Sequence, residues 1–204
     1  KEMVIGILDE LKKKNIGNIL ALRGDPPAGE TNFTKTIGGF EYAYELIKFI
    51  RSHGEWSIGV AGYPEGHPDS KSIDEDVDHL KLKVDMGADV VITQLFFEND
   101  AFYRFRELAV KKGIKVPLIP GIFPILSFKG IIKSISLSNA SLPRELYEKL
   151  EKVQDQPEET RKIGIDYAVK QSYDLLRNDV KGLHFYTMNK SQQIRQILSS
   201  LNVN

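Results

Sequence analysis

Short runs of consecutive apolar residues alternate with longer stretches in which apolar residues recur every three or four positions. The first period predicts buried strands and the second predicts amphipathic helices. A helix over 1–14 places Val4, Ile7, Leu8 and Leu11 on one side, and a buried strand follows over Asn18-Ile19-Leu20-Ala21-Leu22. A helix over 39–52 carries Phe40, Ala43, Leu46, Ile47 and Ile50 at helical spacing, before a strand at Ser57-Ile58-Gly59-Val60-Ala61. A helix over 72–86 sets Ile73, Val77, Leu80 and Val84 toward the core, and Asp89-Val90-Val91-Ile92-Thr93 is the third strand. Helix 99–112 stops at Gly113, a residue suited to the end of a helix. The fourth strand is predicted over 116–121, helices over 127–137, 143–151 and 157–177, the fifth strand over 183–186, and a last helix over 190–201.

Strands this short and this uniformly apolar are expected to be covered on both faces, which predicts a parallel sheet and an α/β fold. An open doubly wound sheet and a (βα)8 TIM barrel compete. No Gly-x-Gly-x-x-Gly follows any strand, and Gly59-Val60-Ala61-Gly62 has the wrong spacing for a dinucleotide turn. The unusual polar groups fall at strand C-termini, where a barrel keeps its functional side chains, and this favours the barrel. Five βα units are legible, fewer than the eight of a closed barrel, so the expectation is an incomplete one.

Composition narrows the chemistry. The 204 residues hold 28 Lys+Arg against 28 Asp+Glu, so no basic arm for nucleic acid and no acidic tail dominates. There are no cysteines, which excludes disulfides, thiol catalysis and Cys-ligated metals. No apolar run approaches a membrane span and no signal peptide is evident, so the chain reads as soluble and cytoplasmic. The histidines at 53, 67, 79 and 184 lack metal-ligand spacing, and no metal site is expected.

The candidate groups sit where strands end. Arg23-Gly24-Asp25-Pro26-Pro27 puts a charged pair after the first strand, either as a simple ion pair or as a ligand contact. Gly62-Tyr63-Pro64-Glu65-Gly66-His67-Pro68 makes a stiff loop presenting a ring, a carboxylate and an imidazole. Asp76, His79 and Lys83 share a helix face whose ordinary reading is solvent exposure. Gln94, in Ile92-Thr93-Gln94-Leu95-Phe96-Phe97, offers an amide suited to a heterocycle's edge, while the Phe pair reads as core. Pro120-Gly121-Ile122-Phe123-Pro124 and His184-Phe185-Tyr186-Thr187-Met188-Asn189-Lys190 complete the rim.

In order and spacing the five blocks 22–26, 60–68, 92–97, 120–124 and 184–189 closely resemble the methylenetetrahydrofolate reductase family, with similarity running from about residue 4 to 201. The resemblance implies a (βα)8 barrel that binds FAD without a dinucleotide fingerprint. It implies ping-pong chemistry in which NADH or NADPH reduces the flavin, which then reduces 5,10-methylenetetrahydrofolate to 5-methyltetrahydrofolate, for one-carbon metabolism and methionine supply. The implied partners are small molecules, folate and a nicotinamide nucleotide, with no nucleic acid or membrane; homo-oligomerisation is left open.

Carried over by position, Arg23, Gly24 and Asp25 match the flavin-contacting strand end, and Asp25 also reaches the pterin. Tyr42 and Ala43 match residues beside the adenosine part of the cofactor. Tyr63 and His67 match ring and ribityl-phosphate contacts, and Asp76, His79 and Lys83 match the ribose and pyrophosphate helix. Gln94 matches a folate-contacting amide and, with Asp25, is the catalytic candidate. Lys190 stands where the family has an Arg near the substrate's glutamate tail. His79 and Leu82 replace an Asn and an Arg of the enteric pattern, and Leu126 replaces a Gln of the animal pattern. The family's first three strands, including its general-acid Glu, would precede Lys1. Residues 1–204 are thus expected to form the C-terminal portion of one FAD-binding catalytic domain, inactive by itself. Two alternatives remain: another flavin barrel, such as a proline-dehydrogenase-like enzyme, or a non-catalytic binding or assembly subunit.

Overall fold

Five strands pair in chain order, β1-β2-β3-β4-β5, and every neighbouring pair is parallel. They belong to a computed structural model that describes residues 1–24 and 34–201. The elements run α1 (Glu2–Lys13), β1 (Asn18–Leu20), α2 (Ala43–Arg51), β2 (Ser57–Gly62), α3 (Ile73–Asp85), β3 (Val90–Leu95), α4 (Asn99–Lys111), β4 (Leu118–Ile122), α5 (Phe128–Ser138), α6 (Arg144–Lys152), α7 (Pro157–Arg177), β5 (His184–Phe185) and α8 (Ser191–Ser200). This is an α/β half-barrel, consistent with part of a TIM-type fold.

Local chemistry accounts for the boundaries. Ser72 caps α3 by accepting from the Glu75 backbone N–H at 3.1 Å, and Ser127 caps α5 by accepting from Gly130 N–H at 3.1 Å. Pro157 opens α7, where its missing N–H costs nothing. The helix predicted over 39–52 begins only at Ala43, because Tyr42 has extended backbone and its N–H donates to Glu45 Oε2 instead.

One sheet face packs under helices: Val60 and Val91 are fully buried with Leu80 of α3 and Phe105 of α4. The expectation of cover on both faces holds at β2, where Ile58, Gly59 and Val60 are all buried, and is corrected at β1 and β3. In β3, Val91, Thr93 and Leu95 are buried while Val90, Ile92 and Gln94 remain half-open, and on β1's path Leu20 and Leu22 are each 49% exposed. Parallel pairing satisfies the backbone without a second layer, so the apolar run does not by itself dictate one. Ile7, assigned to the core side of α1, is 51% exposed; Leu8 takes the buried position. A second cluster, including Leu95, Phe97, Ile125, Ile131 and Leu150, sits beneath α5 and α6.

The N-terminal edge of the sheet is tied by Arg51. Its guanidinium donates to the carbonyls of Gly87 and Trp56 and pairs with Asp89, whose carboxylate also accepts from Ile58 N–H at 2.7 Å. α7 is pinned to α4 by Asp174, which accepts from Tyr103 Oη at 2.6 Å and Asn99 Nδ2 at 2.7 Å.

Candidate functional site

Because the strands are parallel and consecutive, the residues just beyond Leu20, Gly62, Leu95, Ile122 and Phe185 lie along one edge of the sheet. Barrels place their functional side chains at this edge.

Over β1 and β2 the edge is charged. Arg23 Nη2 donates to Asp69 Oδ2 at 2.8 Å, and this bond holds the Asp69 carboxyl below its ordinary pKa. The Asp69 backbone N–H donates to His67 Nδ1 at 3.0 Å. Nδ1 is therefore an acceptor, and the neutral ring carries its proton on Nε2. Burial holds the His67 pKa below its usual value of 6.5, so the ring is neutral at pH 7. Its edge meets the Tyr63 ring at 4.7 Å and 87°.

The stripe at 76, 79 and 83 is split by the fold. Asp76 is 5% exposed and accepts from Ser70 Oγ at 3.3 Å, and burial raises its pKa. Lys83 reaches back to β2, donating to the Ala61 carbonyl at 2.7 Å, with Nζ 5.8 Å from the Tyr63 ring centre. Burial pushes its pKa down to about 8 against the opposing pull of Asp76. His79 lies on the exposed side of α3. For Asp76 and Lys83, then, the helix does not offer a solvated face.

β3 brings Gln94 alongside. Gly62 pairs with Thr93, so Tyr63 and Gln94 are the next residues on adjacent strand paths, on the half-open face. Gln94 Oε1 accepts from Leu95 N–H at 2.9 Å, and the NH2 end is the donor that the side chain presents. Phe96 and Phe97 are core, with their carbonyls held by Gln171 and Tyr167 of α7.

Over β4 and β5 the edge is apolar. A cavity of about 380 Å³ lies between the strand ends, α5 and the start of α8; its lining includes Phe123, Leu126, Tyr186 and Met188, with Lys133 and Lys190. Lys190 is exposed and stands at the N-cap of α8, after Met188 and Asn189 in left-handed backbone (φ 47° and 57°). Thr93 knits the sheet here: its Oγ1 accepts from Gly121 N–H at 2.9 Å and its carbonyl from Tyr186 Oη at 2.8 Å.

Tyr42 and Ala43 begin α2 rather than follow a strand, and Tyr42 stacks on Tyr44 at 5.5 Å. Gly24 is exposed beside Arg23; Asp25 lies outside the described residues. Local pattern carries no contact signal for Asp69, Thr93 and Tyr186, because Arg23, Gly121 and Thr93 reach them from other strand paths. Ser70 meets Asp76 six residues on, a spacing that belongs to no regular element.

A parallel α/β sheet with its candidate groups along the C-terminal edge defines the class. The sequence model described as methylenetetrahydrofolate reductase matches residues 1–202, and the chain belongs to that family. It is 39% identical over 202 residues to methylenetetrahydrofolate reductase 1 of Schizosaccharomyces pombe, covering 98% of this chain and 33% of that protein. It is 37% identical over 211 residues to methylenetetrahydrofolate reductase (NADH) 1 of Arabidopsis thaliana, covering 98% of this chain and 36% of that protein. The chain thus spans about a third of the length of these curated relatives. Among solved structures, an uncharacterized Clostridium thermocellum protein that binds two copies of 5-methyl-5,6,7,8-tetrahydrofolic acid has a TM-score of 0.54 at 16% identity, covering 78% of this chain and 56% of that one. That likeness is one of fold. No helix among the described residues is long and apolar enough to cross a membrane.

Proposed function

We propose that these residues carry the flavin- and folate-binding edge of an NADH- or NADPH-dependent methylenetetrahydrofolate reductase. One observation carries the reading: consecutive parallel strand ends set a cluster of N–H donors, an amide and an apolar cavity in sequence along one edge.

The donor set suits FAD. Arg23, the Nε2–H of His67 and Lys83 offer N–H groups to a pyrophosphate, Tyr63 offers an aromatic surface, and a Cβ at Gly24 would meet nothing within 4 Å. FAD, when bound, supplies hydride transfer from the nicotinamide to 5,10-methylenetetrahydrofolate. The chain's own residues bind and orient. Gln94 donates its NH2 to the pterin edge, with Asp25 as its acidic counterpart. The cavity beyond β4 and β5 takes the aromatic tail, and Lys190 takes the terminal carboxylate. Asp76 and His79 belong to the ribose side of the cofactor, and Tyr42 and Ala43 to its adenosine end. The Arabidopsis relative's name specifies NADH, which supports a nicotinamide donor here.

Visible absorption of the purified protein tests the cofactor. Anaerobic bleaching by NADH or NADPH, followed by reoxidation with 5,10-methylenetetrahydrofolate but not with a proline-derived acceptor, tests the substrate. A colourless protein that takes up no added FAD would instead support a binding or assembly role.

A further inference from the structure

The loop after β2 carries one group to which the proposed chemistry gives no task. Sequence alone presents Glu65 as the carboxylate of a stiff loop, beside Tyr63 and His67. The structure turns it toward the chain between α5 and α6. Ser141 N–H donates to both Glu65 carboxylate oxygens, at 3.2 and 3.0 Å, and the Ser141 hydroxyl donates to Oε2 as well. Asn139, the left-handed residue that ends α5, donates through Nδ2 to the carbonyls of Glu65 and Gly66, both at 3.4 Å.

These bonds join segments more than 70 residues apart, and the two segments serve different halves of the edge. The loop is stiff. Gly66 N–H donates to the Tyr63 carbonyl at 3.0 Å, Ser70 N–H donates to the His67 carbonyl at 2.9 Å, and the two rings meet edge to face. A stiff segment tied at one carboxylate moves as a unit, so the tie sets both rings together. α5 also lines the cavity with Gly130, Ile131, Ser134 and Leu137. α5 therefore walls the apolar half, and the residues that leave it, Asn139 to Ser141, anchor the loop of the charged half.

We propose that Glu65 is a positioning residue: by gripping Ser141 it seats the Tyr63–His67 loop on the end of α5 and couples filling of the cavity to flavin binding. This rests on the flavin and folate reading above. The carboxylate is the strong part of the tie, because a charge-assisted acceptor of several bonds outweighs the longer amide contacts of Asn139.

The test uses the full-length protein with E65A, E65Q and S141A. Amide hydrogen exchange reads the tie without any ligand. In E65A, exchange at Gly66 and Ser70 should rise about tenfold while α8 is unchanged, as expected for loss of hydrogen bonds to a charged group. Flavin affinity, read by fluorescence quenching, should fall about tenfold in E65A. In the wild type, 5-methyltetrahydrofolate should tighten flavin binding; in E65A that effect should vanish. S141A, which keeps the backbone donor, should fall between the two, and E65Q should recover part of the loss because its amide oxygen still accepts. Should E65A fail to fold, E65Q carries the same test with smaller shifts in the same direction. Wild-type flavin affinity and undiminished folate coupling in E65A and E65Q would overturn the proposal and leave the functional reading standing. A wild type that binds no flavin would overturn that reading and this proposal with it.

Discussion

Over β1 and β2 the strand ends carry Arg23, His67 and Asp69 in an ion pair and N–H contacts, joined by Lys83 reaching in from α3; over β4 and β5 they carry Phe123, Leu126, Tyr186 and Met188 around a cavity. The two halves rest on different support. The charged half stands on β1, three residues whose open face leaves Leu20 half-exposed, and on β2, whose Ile58 and Val60 belong to the first buried cluster; its donors are placed by polar contacts. The apolar half stands on a second buried cluster with Phe97, Ile125 and Leu150. Charge bound at a site needs fixed donors, whereas a ring needs area: each 100 Å² of apolar surface taken from water contributes about 2.5 kcal/mol. Stability and ligand grip should therefore separate, with packing changes felt in the apolar half and charge changes in the other.

The largest effect belongs to packing. A Cβ at Gly164 of α7 would lie 1.9 Å from the Ile125 carbonyl oxygen, so backbone must move to admit it. G164A is expected to destabilise by about 3 kcal/mol, lowering Tm by about 6–12 °C in calorimetry. An unchanged Tm would mean that the apolar half is looser than its contacts indicate.

Next comes Arg23. R23A removes the donor held by Asp69, and flavin affinity should fall about 10- to 100-fold while Tm moves little. If instead Tm falls and affinity holds, the ion pair with Asp69 is structural and the charged half loses its main donor.

Lys83 sharpens the contrast because its burial works against the fold. With its pKa lowered to about 8, its charged form costs stability at neutral pH. K83M should weaken flavin binding yet raise stability by about 1–2 kcal/mol at pH 7. The sign with pH follows from linkage. Between about 8 and the ordinary 10.5 the unfolded chain holds the proton and the folded one does not, so wild-type stability rises with pH there. The advantage of K83M should shrink over that interval in urea melts; a gap that widens would refute a buried, destabilising lysine.

The elements themselves were legible, because short apolar runs and 3.6-residue periods are local. Strand Val90–Leu95 and helix α7 lie close to where their patterns predict, and Phe96 and Phe97 are core as expected. Two kinds of feature were not legible. Exposure of Leu20, Leu22 and Ile7 depends on which layers cover a face, which an apolar letter does not encode. The polar ties depend on topology: Arg23 meets Asp69 only because β1 pairs with β2, and Glu65 meets Ser141 only because α5 ends near that loop. Asp76 and Lys83 were visible as a stripe, but the inward turn that makes them titrate abnormally is a property of packing.

The smallest effect probes the mouth of the cavity. Lys190 is exposed, so water and salt screen its charge, and a lysine lacks the fork by which an arginine grips a carboxylate with two bonds. K190A should raise KM for the folate about threefold and leave kcat unchanged, while K190R should lower KM by a similar factor. Raising the salt concentration should erase both differences, since exposed charges act only within the screening length. A change in kcat without a change in KM would place Lys190 in the chemistry rather than at the tail, and the apolar half would then need another ligand to explain its cavity.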